Sequence, residues 1–144
     1  MVSEILKTPA TEVTLITRPR RFGKTLGMSM LYNFFDIRKD SRKLFEGLEI
    51  SKKDNVCKEW MNQYLVIFLT FKNIDGLNFQ GAYDQLVYEI GSLFEEHSYL
   101  TDCELSENER QMFRRLQNQQ ASTVEISRSL QLLLQIMNKY YGKE

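Results

Sequence analysis

Apolar positions along the 144-residue chain fall into two kinds of run, one with helical spacing and one without it. Leu26, Met30, Leu31, Phe34 and Phe35 recur at three-four intervals and predict an amphipathic helix opening at Gly23-Lys24-Thr25 and fading near Asp36 to Asp40. Phe79, Ala82, Tyr83, Leu86, Val87, Ile90, Leu93 and Phe94 predict a second. Ser106 with Glu109, and Ser122 with Glu125, have the spacing of a capping box. The first predicts a short helix carrying Met112, Phe113 and Leu116. The second predicts a long one carrying Ile126, Leu130, Leu133, Leu134, Met137 and Tyr141, closed by Gly142.

Two runs are unlike these. Val13 to Thr17 is short and β-prone, and Tyr64 to Phe71 (YLVIFLTF) is the most hydrophobic stretch of the chain. Such continuous apolar character suits a strand covered on both faces. Between them, Arg38 to Trp60 is charged and reads as irregular, pinned by Leu44, Phe45 and Leu48 and turning at Gly47. Ser3 to Lys7 reads as one helical turn stopped at Thr8-Pro9. The expected order is β-α-irregular-β-α-α-α: an α/β fold with a short parallel sheet of two clear strands covered by about four helices.

That order gives the basic loop its meaning. Arg18-Pro19-Arg20-Arg21-Phe22 joins the first predicted strand to Gly23-Lys24-Thr25 at the start of the first long helix. Strand, loop, Gly-Lys-Thr and helix is the layout of a phosphate-binding P-loop (Walker A). A helix start presents unpaired N–H groups and partial positive charge to an anion. Gly23 lets the backbone approach a phosphate, Lys24 reaches the β- and γ-phosphates, and the Thr25 hydroxyl can ligate Mg²⁺. The usual pattern begins with a glycine five positions before the second one, and that position is Arg18 here.

Composition narrows the remaining choices. With 42% hydrophobic and 12% aromatic residues the chain can build a core. Formal net charge is +0, so nucleic-acid binding would need a local patch. Cys57 and Cys103 lack metal-ligand spacing, and His97 is the only histidine, which argues against a zinc site or a nucleophile-histidine pair. No signal pattern opens the chain and no apolar run reaches ~18 residues, so a cytoplasmic protein with no membrane partner is expected. A P-loop ATPase also uses an apolar strand ending in Asp-Glu to hold Mg²⁺ and orient water. The first acidic residue after the run Leu65 to Thr70 is Asp75, well beyond it, and Glu46, Glu95 and Glu96 read as surface carboxylates. The catalytic residue is therefore unassigned.

ITRPRRFGKTLGMSML, FFDIRKDSRKLFEGLEI and CKEWMNQYLVIFLTFKNIDG together resemble the AAA-ATPase-like family of largely uncharacterised bacterial proteins. The resemblance covers nearly the whole chain, and R-P-R-R-F-G-K-T is how that family writes its P-loop. It implies a P-loop fold in the cytoplasm that binds ATP with Mg²⁺. The cofactor-binding positions are Arg18, Arg20, Arg21, Phe22, Gly23, Lys24, Thr25 and Leu26, with Thr25 on the metal. In the family a strand ending in Asp-Glu follows a segment like Lys139 to Lys143, and a nuclease-like domain often follows later. The resemblance thus implies that residues 1–144 are a partial domain, an internal or truncated piece. Weak or absent hydrolysis follows, together with self-association through uncovered sheet edges or helix faces, and nucleic-acid contact through other domains of a longer protein. The alternative reading is a module for nucleic acid or another partner that uses Arg18, Arg20, Arg21 and Lys24 as a basic patch, without nucleotide chemistry.

Overall fold

A computed structural model describes residues 2–6, 13–17, 19 and 21–142. Within them the order is α1 (Val2–Ile5), α2 (Lys24–Phe35), α3 (Arg42–Phe45), a 3-10 turn at Glu49–Lys52, α4 (Asp54–Trp60), α5 (Phe79–Glu96), a second 3-10 turn at Ser98–Asp102, α6 (Glu107–Gln117) and α7 (Thr123–Tyr141). The chain divides into two compact units, Met1–Ile67 and Phe68–Glu144.

The expected α/β architecture is not what forms. Among the described residues there is no strand, only one isolated parallel bridge between Asp36 and Tyr64. A strand exists only as a member of a ladder, and neither β-prone run has one. Val13 and Leu15 are 80% and 84% exposed, and no main-chain hydrogen bond joins residues 13–17 to residues 64–67. Tyr64 pairs instead with the end of α2. Its N–H donates to the Phe35 carbonyl at 2.9 Å, and its carbonyl accepts from the Ile37 N–H at 2.8 Å. Leu65 to Leu69 are half-buried without a ladder. Their β-prone composition reports burial, and pairing does not follow from it.

Arg38 to Trp60 is the second correction, since it holds α3, the first 3-10 turn and α4. Gly47, at φ 78°, divides it, and helices of four and seven residues are shorter than the window in which a 3.6 period can be read. Phe45 is buried as expected, whereas Leu44 and Leu48 face outward.

The first unit packs Val2, Phe34, Phe45, Ile50 and Met61 into its core, with Met30, Leu31, Phe35, Val56 and Trp60 around them. Phe34 meets Phe45 edge-on at 5.3 Å, and Trp60 stacks on Tyr64 at 5.2 Å. The end of α2 is fixed by Asn62, which sits in the left-handed region at φ 56°. Its Nδ2 donates to the carbonyls of Asn33 (3.1 Å) and Asp36 (2.8 Å), and its Oδ1 accepts from the Ser41 N–H at 3.0 Å. Its own N–H reaches the Phe34 carbonyl at 2.7 Å, and the Ser41 hydroxyl donates to the Asn33 carbonyl at 2.6 Å. Carbonyls that a helix end would leave orphaned are thereby satisfied.

In the second unit α5 packs on α6 and α7, and Phe94 meets Phe113 at 4.9 Å. Both predicted capping boxes form. Each box carboxylate is also held by the other helix: Lys139 donates to Glu109 at 2.6 Å, and Arg115 Nε donates to Glu125 at 2.9 Å. These bonds tie each helix start to a cation near the other's C-terminal end and so fix α6 antiparallel to α7. They hold both carboxyls down to about 2. The Lys139 bond leads for Glu109 and the Arg115 bond for Glu125, with the box serine N–H next in each case. Gly142 closes α7 in the left-handed conformation, as expected. Leu130 and Leu134 lie off the buried face, which runs instead through Ile126, Ser129, Leu133 and Ile136.

Candidate functional site

Helix α2 begins where the Gly-Lys-Thr run predicts. Gly23 is its N-cap residue at φ 71°, ψ 22°, and its carbonyl accepts the Gly27 N–H at 2.8 Å. A Cβ added at Gly23 would meet nothing within 4 Å. The left-handed backbone by itself favours glycine here. Arg21, two residues earlier, is also left-handed at φ 67°. The Phe22 N–H donates to the Pro19 carbonyl at 3.4 Å, which closes the loop as a turn just ahead of the helix. A left-handed conformation at an arginine costs about 1 kcal/mol and needs support from its surroundings.

The end of α2 that faces this turn differs from the other long helix starts. Helix α5 is capped by the Asn78 side chain, and α6 and α7 by their serines and glutamates. The α2 start has no side-chain cap bond and no acidic residue in its first turn. No acidic side chain of the helix's own first turn therefore opposes its positive dipole end. Arg21, Phe22, Gly23, Lys24, Thr25 and Leu26 are all exposed around it, with Phe22 and Leu26 at 65% and 67%.

The structure thus brings six of the eight predicted binding residues together on one loop-to-helix corner; Arg18 and Arg20 lie outside the described residues. Chemically the corner offers main-chain donors, a lysine ammonium and a threonine hydroxyl. Among the described residues, no group of three or more His, Cys, Asp and Glu side chains could hold a metal ion. No helix of the described residues is long and apolar enough to cross a membrane.

Sequence reasoning missed the anchor at the opposite end of α2. Asn62 and Ser41 fasten the C-terminal carbonyls of the helix to the unit's core. The only signal was an asparagine between the charged stretch ending at Trp60 and the apolar run from Tyr64, a residue that tolerates the left-handed region.

Compared with known proteins, residues 2–143 match the family model described as Predicted AAA-ATPase. No curated protein and no solved structure matches the chain.

Proposed function

Because the chain belongs to the AAA-ATPase-like family, we propose that it binds ATP with Mg²⁺ at the N-terminus of α2. The observation that carries this reading is the uncapped, acid-free start of α2 behind the left-handed Gly23. In the proposal the main-chain N–H groups of Gly23 to Leu26 receive phosphate oxygens. Lys24 places a positive charge against the β- and γ-phosphates, and Arg21 adds a second. The Thr25 hydroxyl would supply one oxygen to Mg²⁺. Mg²⁺, when bound, neutralises phosphate charge. Hydrolysis by this chain is slow in this reading, because no Asp-Glu pair closes an apolar run in its sequence.

Calorimetric titration of Mg-ATP into wild type and Lys24→Ala tests the reading. Saturable binding that Lys24→Ala weakens at least tenfold is expected, and equal affinities would remove the site. The basic-patch alternative predicts something else: DNA binding that falls steeply with salt and depends diffusely on several arginines.

A further inference from the structure

Helix α4 turns one face to a cavity. Asp54, Cys57, Lys58 and Met61 recur at i, i+3, i+4 and i+7, so they share a face. That face lines a half-open cavity of about 270 Å³ in the first unit, which Arg42 and Ser51 also line. The floor is apolar: Met61 is 7% exposed. The Cys57 thiol donates to the Ile50 carbonyl at 3.2 Å, which turns its proton away from the cavity. Burial, and then the nearby Asp54 charge, push that thiol upward, so it stays neutral. Ser51 donates to the Leu48 carbonyl at 2.7 Å and keeps its lone pairs for a ligand.

The rim is charged and unspent. Arg42, Asp54 and Lys58 all line the cavity and are exposed, and none makes an ion pair or side-chain hydrogen bond with a described residue. A simple anion would meet the two cations but also the Asp54 carboxylate, and a simple cation would face two like charges. A molecule carrying both charges on a short frame answers all three. The volume is below the ~300–1,000 Å³ of drug-sized pockets, so the occupant is small.

We propose that this cavity binds a free α-amino acid with an apolar side chain. Its carboxylate lies against Arg42 and Lys58, its ammonium against Asp54, and its side chain against Met61 and Cys57. The site is separate from the α2 corner and does not depend on the nucleotide reading.

The test titrates L-leucine into the full chain by calorimetry. 4-Methylpentanoate, which lacks the ammonium, and isoamylamine, which lacks the carboxylate, serve as controls. Wild type should bind leucine saturably and each control at least tenfold more weakly. Arg42→Gln and Asp54→Asn should each weaken leucine binding at least tenfold while leaving the thermal melt in place. Asp54→Asn should at the same time improve 4-methylpentanoate, because a repelling carboxylate is gone. The proposal is overturned if leucine shows no saturable binding at millimolar concentration. Leucine affinity indifferent to both variants, or a control that binds as well as leucine, would overturn it too.

Discussion

Replacing Asn62 should unfasten α2 from the core of the first unit. Asn62→Ala removes the bonds from Nδ2 to the Asn33 and Asp36 carbonyls and the bond from the Ser41 N–H to Oδ1. At about 1 kcal/mol per bond the loss is about 3 kcal/mol. Asn62 is half-buried, so water replaces part of this and about 2 kcal/mol remains. Alanine at φ 56° adds roughly 1 kcal/mol of left-handed strain. The expected cost is therefore about 3 kcal/mol for Asn62→Ala. Asn62→Gly relieves the strain and should cost about 1 kcal/mol less. Asn62→Asp keeps the acceptor but points a carboxylate at two carbonyls, so it should do worse than Ala at neutral pH. Trp60 is the only tryptophan and stacks on Tyr64 within this unit, so its fluorescence in urea reports this unit. At a slope of roughly 1.5–2 kcal/mol per molar urea, the Asn62→Ala midpoint should fall by about 1.5–2 M. A midpoint within about 0.3 M of wild type, or Asn62→Gly no better than Asn62→Ala, would refute the anchor.

Three further outcomes are expected. Gly23→Ala meets no steric obstacle but must adopt φ 71°, so urea unfolding should show a loss of about 1 kcal/mol, with Gly23→Asn milder; no change for Ala would mean the turn is not held left-handed. Glu109 and Glu125 have folded pKa values lowered from 4.5 to about 2. Their contribution is therefore full above pH 4.5 and lost as pH falls toward 2; with solvent screening it is about 1 kcal/mol each, and a thermal melt of α-helical signal unchanged between pH 5 and 2.5 would contradict it. Phosphate release from Mg-ATP should stay far below an ordinary turnover of about 1 s⁻¹; turnover at that rate, abolished by Lys24→Ala, would show that a carboxylate of this chain serves the reaction.

What the sequence disclosed depended on how each element signals itself. Helices α5, α6 and α7 carry a 3.6 period, and α6 and α7 also the punctuation of the two serine-glutamate boxes and Gly142, and they formed where those signals placed them. The α2 start at Lys24 was equally legible from Gly23-Lys24-Thr25. The parallel sheet was read from the apolar character of Val13 to Thr17 and Tyr64 to Phe71, which measures a tendency to be buried. Pairing is a non-local property, and the one bridge that forms takes Tyr64 to Asp36. Helices α3 and α4 were too short to show a period, and the charged residues Arg42, Asp54 and Lys58 are exposed while also lining a cavity. At the candidate site, Arg21 to Leu26 lie exposed on the corner that opens α2. The left-handed backbone at Gly23 is a further reason for glycine there, beside the room it would leave for a ligand.

The central claim, that ATP phosphates rest on the start of α2, is tested most directly by nuclear magnetic resonance on ¹⁵N-labelled chain titrated with Mg-ATP. A 17.1 kDa chain gives resolvable amide signals, and the amides in question are the proposed ligands. Those of Gly23, Lys24, Thr25 and Leu26 should shift first and furthest, in step with one saturable affinity, and should remain still in Lys24→Ala at the same concentration. Shifts that leave these four amides unmoved while others respond, or no shifts at millimolar Mg-ATP, would contradict the account.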